Sequence, residues 1–295
     1  MAAFAVLFGV RSVNASENRP GLMFAIATES VVKLVAAVLV GGAIAFLVLG
    51  GPGEIGAALA DPRVAPVLDF DAGDPVWWGT CLVSALAFLC LPRQFHVAVV
   101  ENVHLGDVRV AAWAFPLYLV AINIFVIPVA IVGLMLFADG GTQPDSFLVA
   151  IPLAMDLPWL AFAAFIGGLS AATGMIIVST LALGTMLCND VVIPALTLWP
   201  AARRRWEAHP AATVLFVRRL AMVGIIALAY LCYLAIGPAF PLARIGLMSF
   251  AAVAQFAPAL LAGMFWRRAT LAGAFAGIGA GFLGWVCSVA VPAFI

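Results

Sequence analysis

The stretch that decides the fold runs from Pro158 to Cys188 and has the sequence PWLAFAAFIGGLSAATGMIIVSTLALGTMLC. It contains no charged side chain, and it exceeds the roughly 20 helical residues needed to cross a bilayer core of about 30 Å. Gly167, Gly168, Ser170 and Gly174 fall within it, and small residues let membrane helices approach one another closely. The stretch therefore predicts a transmembrane helix with a close neighbour.

The whole chain shares this apolar character. Of its 295 residues, 65% are hydrophobic and 9% are charged, against about 45–50% and about 25% in average soluble domains. With a mean hydropathy of +1.17, the chain is neither a water-soluble domain nor a disordered one. Because 14 Lys and Arg balance 14 Asp and Glu, the charge also argues against nucleic-acid binding. The expected partner is the lipid bilayer.

Seven apolar windows are long enough to cross the bilayer, and Pro, Gly and charged residues separate them. The windows are Leu22–Leu49, Trp77–Val103, Val110–Phe137, Pro158–Cys188, Ala212–Gly237, Ala243–Trp266 and Ala269–Val291. They predict an all-α polytopic membrane protein with about seven transmembrane helices. We expect residues 1–295 to form a single integral-membrane domain.

A shorter apolar segment, Ala2–Val10, precedes these windows. At 1.5 Å per residue it reaches only about 13 Å, so it is too short to cross. It does not resemble a signal peptide, because it lacks a positively charged start and a small-residue cleavage site. We interpret it as the end of a severed helix. The chain is therefore expected to lack a natural N-terminal part, with Met1 an internal start or the edge of a fragment.

The basic residues predict the orientation of the helices. Eleven of them fall into alternate loops: Arg11, Arg19, Arg93, Arg109, Arg203, Arg204, Arg205, Arg218, Arg219, Arg267 and Arg268. The opposite loops contain only Arg63 and Arg244, and Lys33 lies inside a window. By the positive-inside rule, the arginine-rich side is cytoplasmic. The N-terminal stub then ends inside the cell, and Ile295 lies outside.

The second window is interrupted at Pro92-Arg93-Gln94. Proline removes a backbone donor and clashes with the preceding turn, and Arg93, Gln94 and His96 would be costly if they faced lipid. Broken helices bind ions and substrates in many secondary transporters. These three side chains are therefore candidates for a substrate cavity. The alternative is that Pro92-Arg93 marks the cytoplasmic end of a shorter helix, with Arg93 reaching the headgroups.

Ser179 and Thr180 place two hydroxyl oxygens side by side in the uncharged window, and Ile176 lies about one turn earlier with its carbonyl oxygen. Hard cations such as sodium favour neutral oxygen ligands of this kind. The alternative is structural, since a hydroxyl in a membrane helix also bonds to the carbonyl four residues back.

Two further patterns concern helix packing. Glu29 and Lys33 are four residues apart in the first full window, a spacing that favours an ion pair. We expect this structural ion pair to hold the helix against its neighbours, with a proton relay as the alternative. Gly273, Gly277 and Gly281 form a small-residue ridge in the last window, which predicts close packing of a partner helix.

The sequence contains no motif for catalysis. The five cysteines lie in apolar windows without a C-x-x-C pair, and His96, His104 and His209 do not have zinc-ligand spacing. Phosphate-binding, serine-nucleophile and H-E-x-x-H motifs are absent as well. We therefore expect the chain itself to have no enzymatic activity, no cofactor and no metal other than sodium.

Three sets of residues resemble the sodium:solute symporter family, and the resemblance covers nearly the whole chain. The first set is Ser170–Asp190, with the sequence SAATGMIIVSTLALGTMLCND. The second is Ser249–Trp266, SFAAVAQFAPALLAGMFW, together with Arg267-Arg268 and the Gly-rich Ala272–Gly281. The third is Leu91–Asn102, LPRQFHVAVVEN, together with Leu7–Arg11, LFGVR, and Ala25–Leu34, AIATESVVKL. The third set is the more specific. It is similar to the version of this domain that is fused to bacterial sensor histidine kinases.

The resemblance implies a partial leucine-transporter-type fold, in which five helices are mirrored by five more in an inverted repeat. On that plan, residues 1–10 are the remnant of the fourth core helix, residues 22–49 the last helix of the first repeat, residues 77–266 the second repeat and residues 269–291 a peripheral helix. An outer-loop helix is expected at Asp145–Asp156. Core helices one to three and a cytoplasmic kinase domain are then expected in the parent protein but not in this chain.

The resemblance also implies a function. The chain is expected to be the membrane region of a bacterial sensor histidine kinase, located in the inner membrane, that binds or transports a small solute such as an amino or organic acid and signals to the kinase. Ser179 and Thr180 are then sodium ligands, completed by the missing first core helix, so that this chain alone is expected not to transport. The alternatives are a fragment of a stand-alone sodium-coupled symporter and a non-transporting scaffold for partner helices.

The charge pattern makes a testable prediction about topology: Gly50–Val76 is external and Leu198–Val217 is cytoplasmic. In a cysteine-free variant, an impermeant thiol reagent applied to intact cells should label an Asp71→Cys chain but not a Glu207→Cys chain. The reverse pattern would contradict the orientation, and with it the fold expected from the resemblance.

Overall fold

The computed structural model describes residues 20–64, 71–138, 141–198, 210–236 and 240–294. All regular secondary structure within these ranges is helical. The predicted stub Ala2–Val10 and the arginine run Arg203–Arg205 lie outside the described residues.

The described α-helices are numbered here in chain order. They are α1 (Pro20–Ala43), α2 (Pro52–Leu59), α3 (Pro75–Cys90), α4 (Pro92–Phe95), α5 (Leu105–Asn123), α6 (Val126–Leu136), α7 (Phe147–Ala154), α8 (Pro158–Met186), α9 (Ile193–Leu198), α10 (Pro210–Ile236), α11 (Leu242–Ala254), α12 (Ala257–Phe265), α13 (Leu271–Trp285) and α14 (Val291–Phe294). Wide π-helical turns extend several of them, at Ile44–Val48, His96–Val100, Leu187–Val192 and Val286–Ala290, and a 3-10 turn at Pro144–Ser146 precedes α7.

The prediction of an all-helical protein with several membrane spans is confirmed. Six segments of the described chain are long and apolar enough to cross a membrane: Pro20–Val48, Leu105–Leu136, Pro158–Leu196, Pro210–Ala235, Leu242–Phe265 and Leu271–Ala290. The bent pair of α3 and α4 makes a seventh if it is one span. Large apolar side chains such as Trp113, 81% exposed, and Phe275, 70% exposed, suit contact with lipid rather than water.

One boundary differs clearly from the sequence prediction. The window that starts at Pro158 does not end near Asn189-Asp190 but continues to Leu196. The π-helical turn Leu187–Val192 carries the chain past the two polar residues. The Asn189 side chain accepts a hydrogen bond from the guanidinium of Arg218 on α10, at 3.4 Å, so its polarity does not oblige the helix to end.

The described helices form two compact units. The first takes in residues 20–64, 98–138, 141–198 and 210–229, and the second takes in residues 71–97, 230–236 and 240–294.

In the first unit, α1 and α8 pack side by side in opposite directions. Leu22 near the start of α1 shares an apolar cluster with Ile177 and Leu181, late in α8, whereas Ile44 just after α1 shares one with Leu160, early in α8. Between these ends, a Cβ built on Gly167 would lie 2.5 Å from Cβ of Ala36. The predicted close neighbour of the uncharged stretch is therefore α1.

The short helix α7 closes one end of this pair. Its residues Phe147 and Ile151 are buried with Val40 and Leu160 in one cluster. The Phe147 ring occupies the space that a Cβ at Gly133 of α6 would need, and it stacks on Phe137 with ring centroids 5.8 Å apart. The resemblance placed an outer-loop helix at Asp145–Asp156, and a helix is present there.

The turn from α7 into α8 is a helix-ending motif that uses an aspartate in place of glycine. Asp156 has a φ of 56°, the left-handed conformation that glycine usually adopts after a helix. The amide of Asp156 donates to the Leu153 carbonyl at 3.2 Å, and the amide of Leu157 donates to the Pro152 carbonyl at 2.8 Å. These bonds satisfy the last carbonyls of α7 before Pro158 starts α8.

The segment after α2 is tied to α6 by one arginine. Arg63 pairs with Asp61 at 2.5 Å, and its Nη1 donates to the Met135 carbonyl at 3.2 Å. The hydrogen bonds from Arg63 hold the pKa of Asp61 at about 2. Because this pKa is depressed, the contact is fully present above the ordinary carboxyl pKa and is lost only as the pH falls through about 2.

In the second unit, α3 packs against α11 and α12, and α13 packs against α11 and α12. The Trp285 indole of α13 donates to the Met248 carbonyl of α11 at 3.1 Å. A Cβ built on Gly281 would lie 3.0 Å from Oε1 of Gln255, just after α11. The predicted glycine ridge therefore packs within the chain at Gly281, whereas Gly277 has no atom within 4 Å of its Cβ position.

The contact between α1 and α8 yields a prediction with an internal control. Gly167→Leu should lower the free energy of unfolding by about 1–3 kcal/mol, because the new side chain overpacks the contact with Ala36. The neighbouring Gly168→Leu should have little effect, since Gly168 is exposed and no atom lies within 4 Å of its Cβ position. Thermal unfolding in one detergent measures both. Equal destabilisation of the two variants would contradict the proposed packing.

Candidate functional site

The break between α3 and α4 follows directly from Pro92. The residue before a proline is pushed out of the helical region, and Leu91 has φ −63° and ψ 122°. The Leu91 amide still completes α3 by donating to the Ala87 carbonyl at 2.9 Å, while its carbonyl accepts from Gln94 and Phe95 at 3.0 and 3.1 Å. Leu91 thus ends one helix and begins the next. The two helices are bent by 50°, which confirms the predicted interruption.

Three predicted cavity residues lie together after this break. Arg93 and Gln94 are half-buried on α4, and His96, at the start of the following π-helical turn, is only 6% exposed. Nε of Arg93 is buried and has no hydrogen-bond partner within the described residues. A buried donor without a partner is costly, so this guanidinium is able to bind an acceptor that enters the break.

The depth of the break follows from helix geometry. Trp77 and Trp78, at the start of α3, pack edge to face with centroids 4.7 Å apart, and such aromatic pairs are typical of the membrane interface. From Trp77 to Leu91 the chain rises about 21 Å, whereas the midplane of a bilayer core lies about 15 Å from its surface. With Trp77 at one interface and α3 along the bilayer normal, the break lies about 6 Å beyond the midplane, and Arg93 lies between it and the opposite interface.

The predicted sodium ligands lie on α8, in the first unit. Thr180 is 4% exposed, and its hydroxyl donates to the Ile176 carbonyl at 2.6 Å, with the Ile177 carbonyl at 3.1 Å. Ser179 is half-buried, and no hydrogen bond of its hydroxyl occurs within the part of the chain that the structure describes. Neighbouring residues point about 100° apart on a helix. The two hydroxyls therefore face different directions, and the Ile176 carbonyl is already engaged by Thr180.

The expected ion pair between Glu29 and Lys33 is not formed in the described structure. No salt bridge joins them; among the described residues, the ion pair found is that of Arg63 and Asp61. Lys33 instead places its Nζ 5.4 Å from the centroid of the Tyr118 ring on α5, a cation–π contact. The i,i+4 spacing permits a pair but does not require one, and here the neighbouring helix offers the lysine an aromatic face.

Glu29 points toward α8 instead. Its Oε2 is buried without a hydrogen-bond partner in the described chain, and a Cβ built on Gly174 would lie 2.7 Å from it. The backbone beside it is better satisfied, because the Ser170 hydroxyl donates to the Glu29 carbonyl at 2.8 Å. Gly174 and Ser170 therefore serve as the small residues that make room for this part of α1.

A buried arginine was missed by the sequence reasoning. The charge pattern places Arg218 in a cytoplasmic loop, but it lies on α10 and is 1% exposed. Its Nη2 donates to Oδ1 of Asn189, and the Cys188 thiol lies within 3.9 Å of the Val214 carbonyl one turn earlier on α10. The signal was its position inside the window Ala212–Gly237, where an arginine is too costly to face lipid.

Comparison with protein-family models, with curated proteins and with solved structures finds no match to this chain.

Proposed function

We propose that this chain is the solute-binding membrane region of a bacterial sensor histidine kinase, of the sodium:solute symporter kind. The observation that carries the proposal is the break between α3 and α4, with the buried and unpartnered Nε of Arg93 beside it. Broken helices are the usual place for substrate binding in secondary transporters. The resemblance of Leu91–Asn102 to the kinase-fused version of the domain adds the signalling role.

A carboxylate-bearing solute, such as an amino or organic acid, suits this site. The planar guanidinium of Arg93 presents its donors in a fork that matches the two oxygens of a carboxylate. Gln94, half-buried on the same short helix, carries both a donor and an acceptor for other polar groups of a solute. Arg93 lies several ångströms from the headgroups, where an unpaired charge is costly. A contact between its guanidinium and the solute carboxylate would offset that cost.

The break also supplies a way to pass a signal. Leu91 is the joint between two rigid helices, and a few residues of this kind absorb the backbone change when domains move. A solute that contacts α4 changes the balance between orientations of α4 relative to α3. On the predicted topology, the residues after α4 lead to the cytoplasmic side, where the kinase domain is expected.

The second candidate is a stand-alone sodium-coupled symporter. The specific observation in its favour is Ser179, whose half-buried hydroxyl makes no hydrogen bond to the described chain and so has its lone pairs open to a cation. The Thr180 hydroxyl is used as a donor, but its oxygen also keeps a lone pair. Reading the gene beyond this chain separates the candidates, because a histidine-containing dimerisation helix and an ATP-binding domain favour the kinase, whereas a stop codon favours the symporter.

Arg93→Lys tests the solute site. The substitution keeps the charge but loses the two-pronged geometry, so in the complete protein it should weaken binding of a carboxylate solute about tenfold, the effect of losing one charge-assisted hydrogen bond. L-alanine, L-glutamate, acetate and succinate are suitable probes, with binding followed by thermal shift. The control is Arg109→Lys, an exposed arginine near the start of α5. If the best-binding probe has the same affinity for Arg93→Lys as for the wild type, Arg93 is a headgroup anchor.

Substitutions at Ser179 and Thr180 test the sodium site in the same protein. Ser179→Ala and Thr180→Val each remove one oxygen, so each should lower sodium affinity about 10- to 100-fold, whereas Thr180→Ser should retain it. Thr173→Val is a matched control, because the Thr173 hydroxyl also bonds to a carbonyl four residues back on α8, at 2.9 Å. If the wild type binds solute equally well with and without sodium, the prediction is contradicted, and the two hydroxyls have only a structural role.

A further inference from the structure

The second unit contains a groove of about 320 Å³ between α12 and α13. Its walls are small side chains, among them Ala259 and Ala262 of α12 and Gly273, Ala274 and Gly277 of α13. Trp266, Arg268 and Thr270, from the turn that joins the two helices, lie at one end. The groove is thus apolar along its length and cationic at its mouth.

The length of the groove matches one leaflet of a bilayer. Along α12 it runs from Gln255 to Trp266, a rise of about 16 Å, and along α13 from Thr270 to Ile278, about 12 Å. Half of a bilayer core is about 15 Å. The deep end is closed where Gln255 meets Gly281. A transmembrane helix would need a surface about twice this long, so the shape favours an acyl chain as the occupant.

The charge at the mouth favours an anionic headgroup. Arg267 and Arg268 form no salt bridge with any part of the chain that the structure describes, and the sequence contains no Asp or Glu after Glu207. Trp266 beside them is 64% exposed, as expected for an aromatic side chain at the membrane interface. The Thr270 hydroxyl accepts from the Gly273 amide at 3.2 Å, which leaves its own proton to donate.

We propose that this groove binds one anionic phospholipid of the leaflet on the Arg267-Arg268 side. One acyl chain lies in the groove between α12 and α13, and the phosphate accepts hydrogen bonds from Arg268 and Thr270. The bound lipid covers Gly277, whose Cβ position has no atom of a neighbouring described helix within 4 Å. The predicted glycine ridge is then shared between a helix contact at Gly281 and a lipid contact at Gly277.

Lipid titration followed by native mass spectrometry tests the proposal. The delipidated full chain in detergent is titrated with dioleoyl phosphatidylglycerol and, separately, with dioleoyl phosphatidylcholine. We expect one phosphatidylglycerol to bind with higher affinity than phosphatidylcholine. Arg268→Gln should lower the phosphatidylglycerol affinity about fivefold, the value of one arginine near an anionic surface, and should lower the phosphatidylcholine affinity less, because the choline cation offsets the phosphate charge. Gly277→Leu fills the groove and should weaken both lipids while leaving the charge intact.

Two matched controls should bind phosphatidylglycerol as the wild type does. Arg244→Gln removes an arginine that contacts Phe240 instead of the groove, and Gly279→Leu changes an exposed glycine of α13 outside the groove. Thermal unfolding checks that each variant is folded, and Ala262→Leu replaces Gly277→Leu if the latter is not. The proposal would be overturned if the wild type bound the two lipids equally, or if Arg268→Gln or the groove-filling variant bound phosphatidylglycerol as the wild type does. It would also be overturned if sn-glycerol 3-phosphate alone competed with the lipid, or if the chain formed a dimer without bound lipid.

Discussion

Helices α1 and α8 approach each other so closely that only small side chains fit between them at Gly167 and Gly174. In lipid, no hydrophobic effect draws two apolar helices together, and association depends on packing and on hydrogen bonds between helices. The contact of Gly167 with Ala36 and the bond from Ser170 to the α1 backbone supply both. Because α7 and α10 bury their side chains against the two ends of this pair, the first unit depends on it.

A second constraint governs where charged groups lie in an apolar chain. Each charged side chain in a membrane segment is expensive unless it finds a partner or water. Lys33 lies over an aromatic ring, and Arg218 has an amide oxygen on the helix beside it. Glu29 and Arg93 are different: Oε2 of Glu29 is buried beside Gly174 and Nε of Arg93 is buried at a helix break, each without a hydrogen-bond partner among the described residues. This unmet donor at the joint between α3 and α4 is the basis of the solute site proposed above.

Much of the fold could be predicted from the sequence, because composition and proline placement act locally. Apolar windows of sufficient length favour membrane helices, and Pro92 pushes Leu91 out of the helical conformation, which predicts a break at that point. Contacts between helices could not be predicted in this way. The i,i+4 spacing of Glu29 and Lys33 favours a pair. Instead, Lys33 contacts the ring of Tyr118 and Glu29 lies beside Gly174, and both of these partners are more than 80 residues away along the chain. The different directions of the Ser179 and Thr180 hydroxyls follow from helix geometry. Which groups surround the Ser179 hydroxyl is decided by residues on other helices, and these cannot be identified from the local sequence.

The π-helical turns have a consequence for the register of the helices that contain them. A wide turn holds one residue more than an α-helical turn, and one extra residue rotates everything that follows by about 100°. The turn at Leu187–Val192 therefore sets which side of α9 continues the buried stripe of α8, and the turn at Val286–Ala290 sets the phase of α14 relative to α13 in the same way. At such a turn a protein gains or loses a single residue without shifting the packed helix before it. The helix after the turn then presents a different face to its neighbours, although both helices belong to the same span.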